Sequence, residues 1–247
     1  MGILPPKQKL IKLLGSSDFF LWEYYGEGVL GKIQAWIFRS RIKVLQRLLR
    51  KVKLHPRIIL DVGCGPMFIS YALVNNETSE YIGLDIMNAT RLKMYRDSMN
   101  SIGVKRLHVV RASAEFLPFR KGIFDLVLAL DVLEHLNKPG EAAAEIYRVV
   151  KDDGTVAISL PLENLFQRLC RTGFIVMRLS QDPILKKAKR IPITRTPEYH
   201  YAGNVKSYDG MLEILRGIFS SSHTKYTPFG FLKSININAV HIFRKRS

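Results

Sequence analysis

Cysteine is scarce, with Cys64 and Cys170 the two examples in 247 residues. A lone pair of thiols cannot staple a small framework and fits no zinc spacing, so a disulfide scaffold and a structural zinc are excluded and a reducing compartment is expected. Long apolar runs are missing too. No uncharged stretch approaches the roughly 18 to 20 residues of a membrane span, because Asp61 and scattered Gly, Pro and Asn interrupt the longest candidate. Between Met1 and Lys12, Pro5, Pro6 and three lysines occupy the place of an export signal's apolar stretch. Pro6 also stands where a myristoylation motif takes Ser or Thr, so no targeting segment and a cytoplasmic address are expected. There is no fixed-period repeat.

Acidic residues are the other shortage: 21 against 38 basic ones, a net charge of +17. The imbalance is local. Residues 1–57 carry +9, residues 58–160 carry −2, residues 161–206 carry +6 and residues 207–247 carry +4. A slightly acidic middle between basic flanks suggests that the flanks meet an anion, whether lipid headgroup, phosphorylated substrate or nucleic acid. With 47% hydrophobic and 24% charged residues, the chain is otherwise an ordinary globular sequence able to bury a core.

From Arg57 onward, short β-branched runs alternate with helical stretches, the signature of a parallel sheet with helical crossovers. Strands are expected at Arg57–Val62, Tyr81–Asp85, Leu107–Arg111, Phe124–Ala129, Thr155–Leu160, His223–Thr227 and Ile237–Phe243. Helices are expected at Met67–Val74, Ala89–Ser101, Pro139–Val150 and Tyr208–Phe219, and Gly230–Ser234 reads as a turn. Ile33–Lys53 reads as a basic amphipathic helix with Phe38, Ile42, Leu45 and Leu49 on one stripe. The alternation lapses over 161–206, where Lys186–Arg190 is a basic cluster. Four segments follow: a basic helical extension at 1–57, a core at 58–160, a basic insertion at 161–206, and a C-terminal part at 207–247 that rejoins the sheet.

The first strand hands over to a helix through Asp61-Val62-Gly63-Cys64-Gly65-Pro66, a place where glycines let backbone approach a ligand at the carboxyl end of a sheet. Asp85 ends the second strand 20 residues after Gly65, where a carboxylate can accept both hydroxyls of a ribose. Pro66-Met67-Phe68 lacks the third glycine of a dinucleotide loop, which disfavours NAD. Asp61 would repel a pyrophosphate but suits a cofactor carrying an ammonium and a sulfonium.

These residues resemble the class I S-adenosylmethionine-dependent methyltransferases, in particular the small-molecule group that includes quinone-biosynthesis enzymes. The likeness covers about Ile58–Leu160. It rests on Asp61–Gly65, Gly83-Leu84-Asp85, Ser113–Phe119, Phe124-Asp125, Val132–Leu136 and Arg148–Gly154, in that order. It implies a Rossmann-like, doubly wound α/β fold: a mostly parallel seven-stranded sheet with an antiparallel C-terminal strand, plus N-terminal helices and a helical insertion. It also implies S-adenosylmethionine as cofactor. Asp61, Gly63, Cys64 and Gly65 would hold its methionine portion, Asp85 its ribose and the backbone near Ala114 its adenine edge, with Ile86 and Leu130 as further cofactor-binding residues. Two positions depart from the pattern. Met67 stands where the family's loop carries another glycine, a left-handed position that Met tolerates poorly. Ser113 stands where an acidic cofactor contact is usual.

Transfer of a methyl from sulfonium releases a neutral leaving group, so positioning can supply most of the catalysis and no particular side chain is obligatory. His135, after the fourth strand, is a candidate base for a hydroxyl or amine acceptor, against the alternative of a capping or packing histidine. His200, after the insertion, is a second candidate, against a surface-loop reading. Asp131, Glu134 and His135 resemble a metal triad of quinone O-methyltransferases, but the Leu-Glu-His triplet is common without metal, and none is expected. Trp22, Tyr24 and Tyr25 read either as a lid over the cofactor or as packing aromatics. The Ile33–Lys53 helix reads either as an interfacial helix on anionic lipid, peripheral to the membrane, or as a helix packed on the sheet with its charge facing water or RNA. The resulting expectation is methyl transfer to a small or lipid-linked acceptor. An RNA methyltransferase and a cofactor-binding partner subunit are the alternatives, nucleic acid being disfavoured because the fourth strand ends in Ala129-Leu130-Asp131 and no RNA-binding module is appended. The motifs do not encode an oligomeric state.

Overall fold

The computed structural model describes residues 4–15, 18–26, 28–74, 79–162, 207–229, 233 and 236–245. Seven strands form one sheet in the order β3-β2-β1-β4-β5-β7-β6. They are β1 (Ile58–Val62), β2 (Glu80–Asp85), β3 (Leu107–Arg111), β4 (Phe124–Leu130), β5 (Val150–Pro161), β6 (Phe219–Thr227) and β7 (Asn238–Lys245). β1 to β5 are parallel, and β7 runs antiparallel to both of its neighbours. The expected doubly wound sheet with its antiparallel C-terminal strand is therefore present. β5 and β6 each begin several residues earlier than their apolar runs suggested, because polar Lys151–Asp153 and Ser220–Ser221 still sit on extended backbone.

Seven helices are described: α1 (Lys7–Leu14), α2 (Phe19–Tyr25), α3 (Gly28–Lys51), α4 (Phe68–Leu73), α5 (Ala89–Ser101), α6 (Pro139–Val149) and α7 (Tyr208–Ile218). Local signals explain several boundaries. The side chain of Asn88 accepts from the Thr90 amide at 2.8 Å to start α5, Ser207 accepts from Gly210 to start α7, and Pro139 opens α6. One face of the sheet buries Ile59, Tyr81 and Leu128 against α1 to α5; the other buries Leu60, Val62 and Val127 against α6 and α7. Asp125 ties three strands together at their lower edge, accepting from the amides of Arg57 and Ile58 and from Lys151 Nζ at 2.9, 2.8 and 2.6 Å.

The interfacial reading of the α3 stripe is overturned. Ile42, Leu45 and Leu49 are buried in the core that includes β1 and β7 residues, so this apolar face has no surface to offer a bilayer. Arg41, one of the basic residues of this helix, points inward and is 6% exposed. No described helix is long and apolar enough to cross a membrane. The insertion from 163 onward, including Lys186–Arg190, and most of the Gly230–Ser234 turn lie outside the described residues.

Candidate active site

The turn from β1 into α4 has left-handed backbone at both glycines, with φ +67° at Gly63 and +50° at Gly65. At Gly63 packing adds a second reason, since a Cβ would lie 2.4 Å from Cγ2 of Val132. The end of β2 holds this loop from the side. Gly63 and Cys64 donate their amides to the Leu84 carbonyl at 2.7 and 3.0 Å, and Gly65 donates to the Asp85 carboxylate at 3.0 Å. The other Asp85 oxygen accepts from the Met87 amide at 2.9 Å. A carboxylate offers about four lone-pair positions. Two amides therefore leave Asp85 with acceptor capacity for a ribose diol.

Met67 is left-handed, φ +56°, in keeping with the sequence expectation for that position. Its side chain is fully buried and shares with Cys64 the space above Gly83, where a Cβ would meet the two sulfurs at 2.9 and 2.8 Å. Cys64 thus gives the loop its backbone and the core its sulfur. Burial pushes its thiol well above the ordinary range, so it is a poor nucleophile.

Asp61 lies beneath the loop, 2% exposed, with the Tyr81 hydroxyl donating to it at 2.5 Å. Burial, augmented by the nearby Asp85 charge and opposed by the Tyr81 hydrogen bond, pushes its carboxyl up to about 7. Such a group gains its charge most readily when a cation arrives. Ile86, the next residue after Asp85, is an apolar side chain left 72% exposed at the rim, a surface that a flat ligand would cover.

Ala114 is buried in a turn where the Ser113 hydroxyl accepts from the Glu115 amide at 3.2 Å. Ser113 therefore serves local structure in place of the acidic contact. Sequence reasoning missed what fixes this segment. Arg148 of α6 donates to the carbonyls of Phe119 and Leu117 at 2.7 and 2.9 Å, while Glu145 accepts from the Leu117 amide at 2.8 Å and pairs with Arg148. The i,i+3 acid–base spacing of those two residues was the available signal.

At the end of β4, Leu130 is half-buried and Asp131 turns left-handed, φ +55°. Its carboxylate forms a salt bridge with Arg41 of α3 and accepts from Ser159 Oγ at 2.5 Å and Asn238 Nδ2 at 2.9 Å. Arg41 and Asn238 were not anticipated, although Arg41 lies three residues after Phe38, on the inward stripe. In the following 3₁₀ turn, Leu133–His135, Glu134 is fully buried and lies 3.8 Å from Nε2 of half-buried His135. Asp131 faces cations and amides while Glu134 faces His135. Among the described residues no three His, Cys, Asp or Glu side chains converge on a metal position.

The aromatic over the loop is Phe20 of α2, whose ring would stand 3.6 Å from a Cβ on Gly65. Tyr95 holds that segment through a 2.8 Å hydrogen bond to Asp18. Tyr24 packs inward on Phe38 and Phe68, at 5.3 and 5.2 Å between centroids, as the packing alternative had it. The Trp22 side chain and all of His200 lie outside the described residues.

A family model described as a methyltransferase domain matches residues 60–158, the span holding the glycine loop, Asp85, Ala114 and His135. Residues 60–158 thus carry a methyltransferase domain. The chain is 32% identical over 155 residues to the malonyl-acyl-carrier-protein O-methyltransferase of Geobacter sulfurreducens, matching 63% of this chain and 53% of that protein. It is also 32% identical over 120 residues to the ubiquinone/menaquinone biosynthesis C-methyltransferase UbiE of Stutzerimonas stutzeri, 46% of each. The chain spans about half the length of the curated relatives it matches. Its fold resembles that of the N-methyltransferase NodS of Bradyrhizobium japonicum, solved with S-adenosyl-L-homocysteine, at a TM-score of 0.60 over 98% of both chains and 13% identity.

Proposed function

We propose that the protein transfers a methyl group from S-adenosylmethionine to a small or lipid-linked acceptor taken from the cytoplasmic surface of a membrane. The observation that carries the cofactor assignment is the Gly63–Gly65 loop tied by its amides to Leu84 and Asp85, above the buried Asp61. When bound, S-adenosylmethionine supplies an activated methyl on a sulfonium that departs as a neutral thioether. The chain's own work is positioning. Gly63, Cys64 and Gly65 present backbone to the amino-acid end, Asp61 offers its carboxyl to the ammonium, and Asp85 accepts from the ribose. Ile86 and the Ala114 turn flank the adenine, and Leu130 walls the methyl end.

His135 is the candidate base for a hydroxyl acceptor, with His200 a second. Positioning by the fixed Asp131 comes first, and either histidine contributes only where the acceptor must lose a proton. The names of the two relatives, one acting in quinone biosynthesis and one on malonyl-acyl-carrier protein, support a small or carrier-linked acceptor. The +9 carried by residues 1–57 supports an encounter at an anionic surface.

The test is incubation of the full chain with methyl-labelled S-adenosylmethionine and either a membrane-lipid extract or bulk RNA. Label in the lipid phase is expected. Label in RNA, or none in either while cofactor binding is intact, would overturn the acceptor assignment.

A further inference from the structure

Neither the sheet nor the methyl-transfer geometry uses the basic face of α3. With the apolar side of this helix in the core, Lys32, Trp36, Arg39, Lys43 and Arg47 recur every three or four residues along the other side, over about 22 Å of helix axis. Together with Tyr25 and Pro228 they line a groove of about 390 Å³. That volume falls in the range of small-ligand sites. Among the described residues no carboxylate lines the groove and none of its four cations forms an ion pair.

Like charges at helical spacing repel one another, so the fold carries here a cost that an anion would relieve. Arg39 is already set. Its Nε donates to the Tyr24 carbonyl at 3.1 Å and its guanidinium lies 5.5 Å from the centre of the Tyr25 ring, which leaves the terminal nitrogens as donors. Guanidinium and ammonium groups in this arrangement match the oxygens of a phosphate. Arg41, which reaches Asp131, projects from the opposite side of the same helix, so the groove is separate from the methyl-transfer end.

The rim distinguishes among phosphate bearers. Ile33, Trp36 and Phe229 are 48%, 47% and 42% exposed, and the Trp36 and Phe229 rings meet edge to face at 5.6 Å. Apolar side chains beside cations are the pattern of an interfacial anchor, whereas a nucleic-acid strand takes successive stacking platforms along an open track. We propose that the α3 groove is a binding site for the phosphate of a lipid headgroup, with Lys43, Arg47 and Arg39 on the phosphate and Trp36 at the acyl boundary. This deepens the membrane-surface reading above by naming the site and its chemistry. The phosphate site itself stands on the side chains of α3 and survives if the acceptor proves to be soluble.

Flotation with phosphatidylcholine vesicles containing one-third phosphatidylglycerol, with pure phosphatidylcholine vesicles as the second arm, tests it on the full chain. Binding only to the anionic vesicles is expected, weakening as salt rises. In the double variant Lys43→Gln/Arg47→Gln, loss of two surface charges should weaken that binding about 30-fold. Trp36→Ala should weaken it too, and both variants should melt at the wild-type temperature. Calorimetry with glycerol phosphate separates the sources: binding that the double variant loses, in the absence of vesicle binding, keeps the phosphate site and assigns it to a soluble ligand. Vesicle binding unaltered in the double variant, or no binding of vesicles or glycerol phosphate, would overturn the site. Retention of single-stranded RNA that the double variant abolishes, without vesicle binding, would overturn it in favour of nucleic acid. S-adenosylmethionine affinity measured on the same proteins distinguishes failure of the groove from failure of the cofactor assignment.

Discussion

Asp61 is a carboxyl whose burial works against its charge. Its folded value of about 7 stands above the ordinary carboxylate range, so the ligand-free protein holds this proton more tightly than the unfolded chain does. The associated stability is fully present below about pH 4 and declines as pH rises towards 7, by an amount on the order of 4 kcal/mol. His241, buried between Tyr208 and Thr224 and held down to about 4, acts in the opposite sense, losing stability as pH falls from 6.5. Comparison with Asp61→Asn cancels the histidine. Denaturant titrations should find the variant more stable than wild type at pH 8 and equal to it at pH 4. A cationic cofactor favours the charged carboxylate, so wild-type affinity for S-adenosylmethionine should rise as pH passes through about 7. That rise should vanish in Asp61→Asn, whose affinity is low throughout.

Met67 poses a conflict between backbone and packing. Its left-handed backbone costs about 1 to 2 kcal/mol, which glycine would relieve. Deleting a fully buried methionine side chain costs about 2 to 5 kcal/mol. Packing wins, and Met67→Gly should lose about 1 to 3 kcal/mol in urea denaturation; a stabilised variant would show that strain dominates the loop. The sequence made the glycine-lined turn and the strain at Met67 legible, because both follow from local backbone chemistry. It hid the sulfur packing over Gly83, which depends on two strands lying side by side.

Among the elements, α3 shows where periodicity stops being enough. Its stripe of Phe38, Ile42, Leu45 and Leu49 is legible, but an apolar stripe suits a bilayer and a protein core equally well. The packing partners, on β7 and α4, come from distant segments. The same limit concealed Arg41: a single arginine on the apolar stripe reads as an outward charge until Asp131, Ser159 and Asn238 are brought beneath it. Removing one partner of a buried ion pair leaves the other uncompensated, so Arg41→Met should destabilise the protein by about 3 kcal/mol. Because the pair pins α3 to the end of β4, methyl transfer should fall as well. Unchanged stability would mean that Ser159 and Asn238 alone satisfy Asp131. By contrast, α5 and α6 were bounded within a residue from sequence, since Pro139 and the pattern after Asn88 are local signals.

For the whole molecule, the doubly wound, mostly parallel sheet with its antiparallel C-terminal strand followed from the family resemblance, while the long-range ties did not. The Glu145–Arg148 clamp on Leu117 and Phe119, and the Asp125 tie across three strands, join positions separated by up to 68 residues. The Asp125 tie fixes the amino ends of β1 and β4, whereas Arg41 and Asn238 meet Asp131 at the carboxyl end of β4. The charge distribution also divides the surface. A near-neutral core carries the cofactor loop, and the basic groove of α3 lies on the other side of the helix that seals it. Salt should therefore weaken docking on anionic vesicles by screening exposed cations while leaving S-adenosylmethionine affinity nearly unchanged, because Asp61 and Asp85, which would hold the cofactor, are buried and half-buried.

The central claim is that the loop between β1 and α4 and the carboxylate of Asp85 form one S-adenosylmethionine site. Calorimetric titration of S-adenosylmethionine into the full chain and into Asp85→Ala, with melting curves on both proteins, addresses it directly. Saturable one-to-one binding is expected in the wild type. The variant loses both the ribose acceptor and the tie to the Gly65 amide, each worth about 1.5 to 3 kcal/mol as a charged hydrogen bond, so its affinity should fall by at least about 100-fold while the fold still melts cooperatively. Equal affinity in a folded Asp85→Ala protein, or no binding by the wild type, would contradict the site.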